Sequence, residues 1–68
     1  MKYTIEQQLE LANDMIMCPS ISEDVRRELC ARWNRACYIL DVLEDEASAS
    51  RELNALADMW AEHSTYTA

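Results

Sequence analysis

Apolar positions along this chain recur with helical spacing. Ile5, Leu9, Ala12 and Ile16 fall at i, i+4, i+7 and i+11, one stripe of a helix over about 4–17. Leu11 and Met15 widen that stripe toward a second contact. Pro19 ends the helix, because the residue before a proline is pushed out of the α region. Ser20, with Glu23 three residues later, reads as a capping box, and Ser22 is a second N-cap candidate; the next helix is expected to begin near Ser22. Glu23 and Asp24 then sit at the positive end of its dipole.

The second stripe, Val25, Leu29, Trp33, Ala36, Leu40 and Leu43, keeps a spacing of about 3.5 residues over about five turns. Glu23–Arg27 and Glu28–Arg32 are i,i+4 pairs in the favourable orientation, each worth roughly 0.3 kcal/mol. The end of this helix rests on weaker signals. Neither Gly nor Pro stands between Leu43 and Leu53, so one alternative is a single helix running on to His63. Such a helix would turn Glu46 and Ser50 inward, and Glu is seldom buried unpaired. Ser48 and Ser50 also offer hydroxyls for a fresh N-cap, with Glu52 in the first turn. A break between Asp45 and Ala49 is therefore expected, followed by a helix over about 50–63 that packs Leu53, Leu56, Ala57 and Trp60. His63 suits its negative end, and 65–68 is expected to fray. Taken together, the pattern predicts an all-α fold: a small three-helix bundle over about 4–17, 22–45 and 50–63, in one domain.

Composition supports helices and narrows the class. Glycine is absent and proline occurs once, which leaves few means of making hairpin turns. At 68 residues the chain is near the lower limit for folding alone, burying only about 60% of the surface it exposes when unfolded. Cysteines do not supply the missing margin: Cys18, Cys30 and Cys37 are odd in number and lack a framework spacing. On one helix Cys30 and Cys37 would lie roughly 10.5 Å apart along the axis, beyond the ~7 Å a disulfide spans. Residues 1–18 carry Glu6, Glu10 and Asp14, unlike a secretory signal, and apolar runs are too short for a membrane span. A cytoplasmic protein with no membrane association is expected.

Charge is the most uneven property. The net value of −7 comes from 13 acids and 6 bases, and residues 38–68 hold seven of the acids against one base. Residues 21–37 are slightly basic. Glu6, Glu10 and Asp14 line one face of the first helix at i, i+4, i+8; Asp41, Glu44, Asp45 and Glu46 crowd the end of the second; Asp58 and Glu62 form another i,i+4 pair. Four acids at a helix C-terminus oppose the dipole and repel one another, a local conflict that points to function unless the next helix uses them. These residues form the candidate partner-binding surface, with a solvated, solubilising face as the plain alternative.

Tyr38, Ile39 and Val42 lie off the second stripe yet are apolar, so that helix is hydrophobic nearly all round from 38 to 43. Such a segment is covered on more than one side, here by the other helices or by another subunit. Arg26, Arg27, Arg32 and Arg35 resemble a helix-turn-helix arrangement only loosely, and interleaved acids oppose phosphate contact. Cys18, Cys30, Cys37 and His63 lack the close pairs of a zinc site, so neither metal nor cofactor is expected. No Gly-rich phosphate loop occurs, and no Ser or Cys has a nearby base in sequence, which argues against an enzyme.

These features favour a small acidic interaction module, an inhibitor or modulator that binds a basic site on a larger, often nucleic-acid-handling protein. Its acids would then imitate phosphate. A helical homodimer with a structural or regulatory role, seamed by Tyr38, Ile39 and Val42, is the alternative. A nucleic-acid binder using the four arginines is the second. No residue motif places the chain in a family. In size and acidity it is similar in style to the small proteins that phages and mobile elements encode to block host machinery, which would put it in a host cytoplasm.

Overall fold

Thr4 opens the first helix with a complete capping box. Its hydroxyl accepts from the Gln7 backbone N–H at 3.1 Å, and its own N–H donates to Gln7 Oε1 at 2.9 Å. The computed structural model describes residues 3–63, and among them three α-helices form: α1 (Ile5–Ile16), α2 (Glu23–Tyr38) and α3 (Glu46–His63). A π-helical turn, Ile39–Leu43, extends α2. The protein is therefore an all-α three-helix bundle. The expected fraying of 65–68 lies outside the described residues.

Ser22, not Ser20, caps α2: its hydroxyl accepts from the Val25 N–H at 3.3 Å, while the Ser20 hydroxyl lies 3.0 Å from the Cys18 thiol. The Ser20–Glu23 capping box does not form, because Glu23 instead holds Arg26 at 3.1 Å. The arginine pairs differ from expectation in the same way. Arg27 reaches Asp24 at 3.8 Å, one turn back at i,i+3, and Arg32 leaves its own helix for Glu52 of α3.

Cross-helix bonds fix the packing order. Trp33 Nε1 donates to the Leu9 carbonyl at 3.0 Å, and Arg26 donates to the carbonyls of Ile16, Cys18 and Ile21, so α2 runs back along α1. Ser50 donates to Gln8 Oε1 at 2.9 Å near the starts of both helices and Trp60 lies against Cys18 just beyond the end of α1, so α3 runs parallel to α1. One end of the bundle thus gathers the starts of α1 and α3 with the end of α2. Between the helices lie Ala12, Ile16, Ile21, Leu29, Ala36, Ala49, Leu53 and Leu56, all buried, with Ile5, Leu9, Val25, Trp33, Leu40 and Trp60 packed against them. Ala49 and Ile21, which the stripes placed in connections, are core residues.

The break after α2 comes earlier than the serines suggested, and the two helices are not continuous. Glu44 adopts a left-handed conformation (φ 53°) with its N–H bonded to the Ile39 carbonyl. Asp45 then caps α3: Oδ1 accepts from the Ser48 N–H at 3.1 Å and Oδ2 from the Ser48 hydroxyl at 2.7 Å. A carboxylate accepting two hydrogen bonds at a helix start outcompetes the hydroxyls of Ser48 and Ser50, so α3 gains a full turn ahead of Ser50.

These bonds to Ser48 hold the Asp45 carboxyl below the ordinary aspartate range, with Arg51 adding a smaller pull. A depressed carboxyl stabilises the fold fully above the unfolded value near pH 4 and loses that contribution as the pH falls through its folded value. Asn also caps helices but does not titrate. Urea midpoints followed from neutral to acid pH are therefore expected to fall less steeply for Asp45→Asn than for the parent chain. Parallel profiles would show that this carboxylate does not hold the start of α3.

Candidate functional site

The junction between α2 and α3 is where the fold departs furthest from its simplest solution. In a continuous α-helix Leu43 would follow Ala36 and Leu40 into the core. The π turn closes i→i+5, placing an extra residue in the turn and rotating the chain beyond it by about one helical position, roughly 100°. Leu43 is consequently 59% exposed beside Val42 (59%) and Tyr38 (57%). Ile39, expected on the outward face, is instead half-buried against the core. The apolar surface at this junction is therefore Tyr38, Val42 and Leu43, with Leu43 taking the place expected for Ile39; Tyr3 and Met17 are exposed as well.

Acids surround this trio. Asp41, Glu44, Asp45 and Glu46 are all exposed, and Glu6 is exposed on the first turn of α1 at the same end of the bundle. Part of this charge has a structural role. Glu6 and Glu46 stand in the first turns of α1 and α3, and Asp45 is the cap, so all three meet positive dipole ends. Asp41 and Glu44 have no such return. Asp41 lies in the π turn that extends α2 and Glu44 caps it, both against the negative end, and burial, joined by Asp41, raises the Cys37 thiol above its usual range. Glu44 also holds a left-handed conformation that Gly or Asn would adopt more readily. Asp41 and Glu44 thus lack a favourable dipole contact, and Tyr38, Val42 and Leu43 lack a buried environment.

No family model, curated protein or solved structure matches this chain.

The remaining acids do not join the junction. Glu10 and Asp14 border an open groove of about 420 Å³ formed with Leu9, Asn13 and Trp33, farther along α1. Asp58 and Glu62 are exposed on the later turns of α3. The acidic residues thus occupy separate helix faces, and only Glu6, Asp41, Glu44, Asp45 and Glu46 share one end.

The arginines are largely engaged in the fold. Arg26 stitches the α1–α2 turn through three carbonyls, and Arg32 and Arg35 converge on Glu52 Oε1 at 3.3 and 3.6 Å. Arg27 remains the most exposed of the four, at 79%. The sequence placed Glu52 in the first turn of the third helix, whereas α3 begins at Glu46 and Glu52 serves as an ion-pair partner of arginines 17 and 20 positions away. Among the described residues, no three or more His, Cys, Asp or Glu side chains are placed to hold a metal ion. Nor is any helix among them long and apolar enough to cross a membrane. Cys18, Cys30 and Cys37 are free thiols. Cys18 is held below the usual thiol range, first by the Ser20 hydroxyl and then by the Ser20 backbone, with Trp60 and Arg26 adding weaker pulls.

If the π turn places the trio outside the core, polar replacements there leave stability nearly unchanged. Combining Tyr38→Ser, Val42→Ser and Leu43→Ser is expected to shift the urea-unfolding free energy by no more than about 1.5 kcal/mol, about 0.5 for each surface change. A Leu truncated in the core instead costs about 2–5 kcal/mol. A loss of that size would return Leu43 to the core stripe.

Proposed function

We propose that this protein is an interaction module whose working surface is the α2–α3 junction, and that it inhibits or modulates a larger protein by occupying a basic site. One observation supports the reading: Asp41 and Glu44 sit against the negative end of α2 beside three exposed apolar side chains, a locally unfavourable arrangement that contact with a partner would relieve. Opposite charge on a partner would offset the repulsion among these acids and steer the encounter. Imitation of phosphate on a nucleic-acid-handling protein is one form of such a contact. A homodimer is the second reading, favoured by the exposure of Tyr38 and Val42. Direct nucleic-acid binding finds less support, because Arg26 and Arg32 are held in internal contacts and Arg35 pairs with Glu52.

Immobilised protein should capture a basic partner from lysate, and a variant with Asp41→Lys, Glu44→Lys and Glu46→Lys should not. Asp45 is left unchanged in that variant because it caps α3. Equal capture by both would remove the electrostatic reading.

A further inference from the structure

The mixed character of the junction says more about its occupant than the net charge does. A groove shaped for nucleic-acid phosphate is polar and basic, and desolvating Tyr38, Val42 and Leu43 against it would gain little. A pure phosphate mimic would present carboxylates here and nothing else. Instead, three large apolar side chains occupy positions i, i+4 and i+5, flanked by Asp41 within the turn and by Glu44, Asp45 and Glu46 immediately after it.

A second copy of this chain fits poorly. Apposing two junctions would bring Asp41, Glu44, Asp45 and Glu46 of each copy together within roughly one Debye length of 8–10 Å. The area is also small. Three side chains exposed to this extent present on the order of 300 Å², against the ~800 Å² per partner of a standard stable interface. The patch suits a transient contact with a partner that brings the opposite charge.

We infer that the junction binds a basic amphipathic helix. Resting on the interaction-module reading above, this inference names the form and chemistry of the partner. The helix would lay apolar residues at i, i+3 or i+4 and i+7 across Tyr38, Val42 and Leu43, with Lys or Arg at the edges of that stripe meeting Asp41, Glu44 and Glu46. The exposed trio runs about 7.5 Å along the chain axis, which one to two turns of a facing helix would cover. Apolar burial then supplies a portion of the affinity that salt does not screen, and the acids supply a portion that it does. Leu43 is the anchor most specific to this arrangement, since it faces outward only because of the π turn.

The test uses the full chain and a synthetic peptide of about 14 residues with Leu on one face and Lys on the other, a Leu/Glu peptide serving as control. Backbone amide chemical shifts are followed during titration, with sedimentation run in parallel. Expected are saturable shifts concentrated on residues 38–46, a Kd of about 10–100 µM in keeping with a small interface, and no binding of the Leu/Glu control. Leu43→Ser is expected to weaken binding at least about 10-fold while the spectrum stays that of the folded chain. Raising salt from about 50 to about 500 mM should weaken binding without abolishing it. Shifts centred on Glu10 and Asp14, or loss of all binding in salt, would overturn the inference while leaving an acidic interaction module standing. Failure of the Lys peptide to bind anywhere, together with equal lysate capture by the charge-reversed chain, would remove both. Concentration-dependent dimerisation that shifts Tyr38, Val42 and Leu43 would assign the surface to a second copy instead.

Discussion

Leu56→Ala is expected to leave the chain largely unfolded at room temperature. Leu56 is 0% exposed at the centre of the bundle, packed with Leu29, Ala36 and Leu53 in one cluster. Removing three heavy atoms there loses their transfer free energy and leaves a cavity, which together cost about 2.7–5 kcal/mol for a buried Leu. A single core in a chain this short supplies about 3–5 kcal/mol of net stability in total. The two quantities are comparable, so circular dichroism should show loss of most helical signal without denaturant. A cooperative transition with a midpoint near that of the parent chain would mean that the core is not where the structure puts it.

The second large effect is expected at Glu52, which is 17% exposed and bridges two arginines of α2 through one oxygen. Breaking a fully buried charge pair costs about 3–5 kcal/mol, because the remaining charge keeps its desolvation without its partner. Arg32 is 35% exposed, so water relieves part of that penalty and Glu52→Ala should cost about 2 kcal/mol. Arg32 has little in reserve: among the described residues its Nε is buried without a hydrogen-bond partner. Replacing both residues, as Arg32→Leu with Glu52→Leu, removes the stranded charge and is expected to recover most of the loss. Urea unfolding of the single and double variants decides this. A double variant as unstable as Glu52→Ala would show that the pair contributes through packing and not through charge.

Much of the fold was legible from local signals. The α1 stripe of Ile5, Leu9, Ala12 and Ile16 packs inward as its spacing implies, with Ala12 and Ile16 buried. Pro19 and Ser22 mark the first connection as expected. The features that were not legible share one physical cause, a competition decided by geometry that residue identity does not fix. A π turn uses the same residues as an α turn, so Leu43 read as core and Ile39 as surface. Asp45, Ser48 and Ser50 are all N-cap residues, and the left-handed Glu44, without the usual glycine, is what lets Asp45 act first. Arg32 had an acid one turn away on its own helix and found a better one on α3, which only packing could reveal.

Of the candidate site, the kind of residue was readable and the grouping was not. Charge crowding from 41 to 46 stood out in the sequence, yet parallel α1 and α3 bring Glu6 to that end and separate it from Asp58 and Glu62. Topology also divides the acids by role. Those at the starts of α1 and α3 stabilise helices, whereas Asp41 and Glu44 act against one. Neither division is visible in a linear count.

The most direct test is the affinity of the captured partner for the parent chain and for the Asp41→Lys, Glu44→Lys, Glu46→Lys variant, measured across salt. At low salt the variant is expected to bind at least about 100-fold more weakly, and the gap should narrow as screening increases toward about 0.5 M. Equal affinities at every salt concentration would show that the junction is a solvated face and that the protein makes its contacts elsewhere.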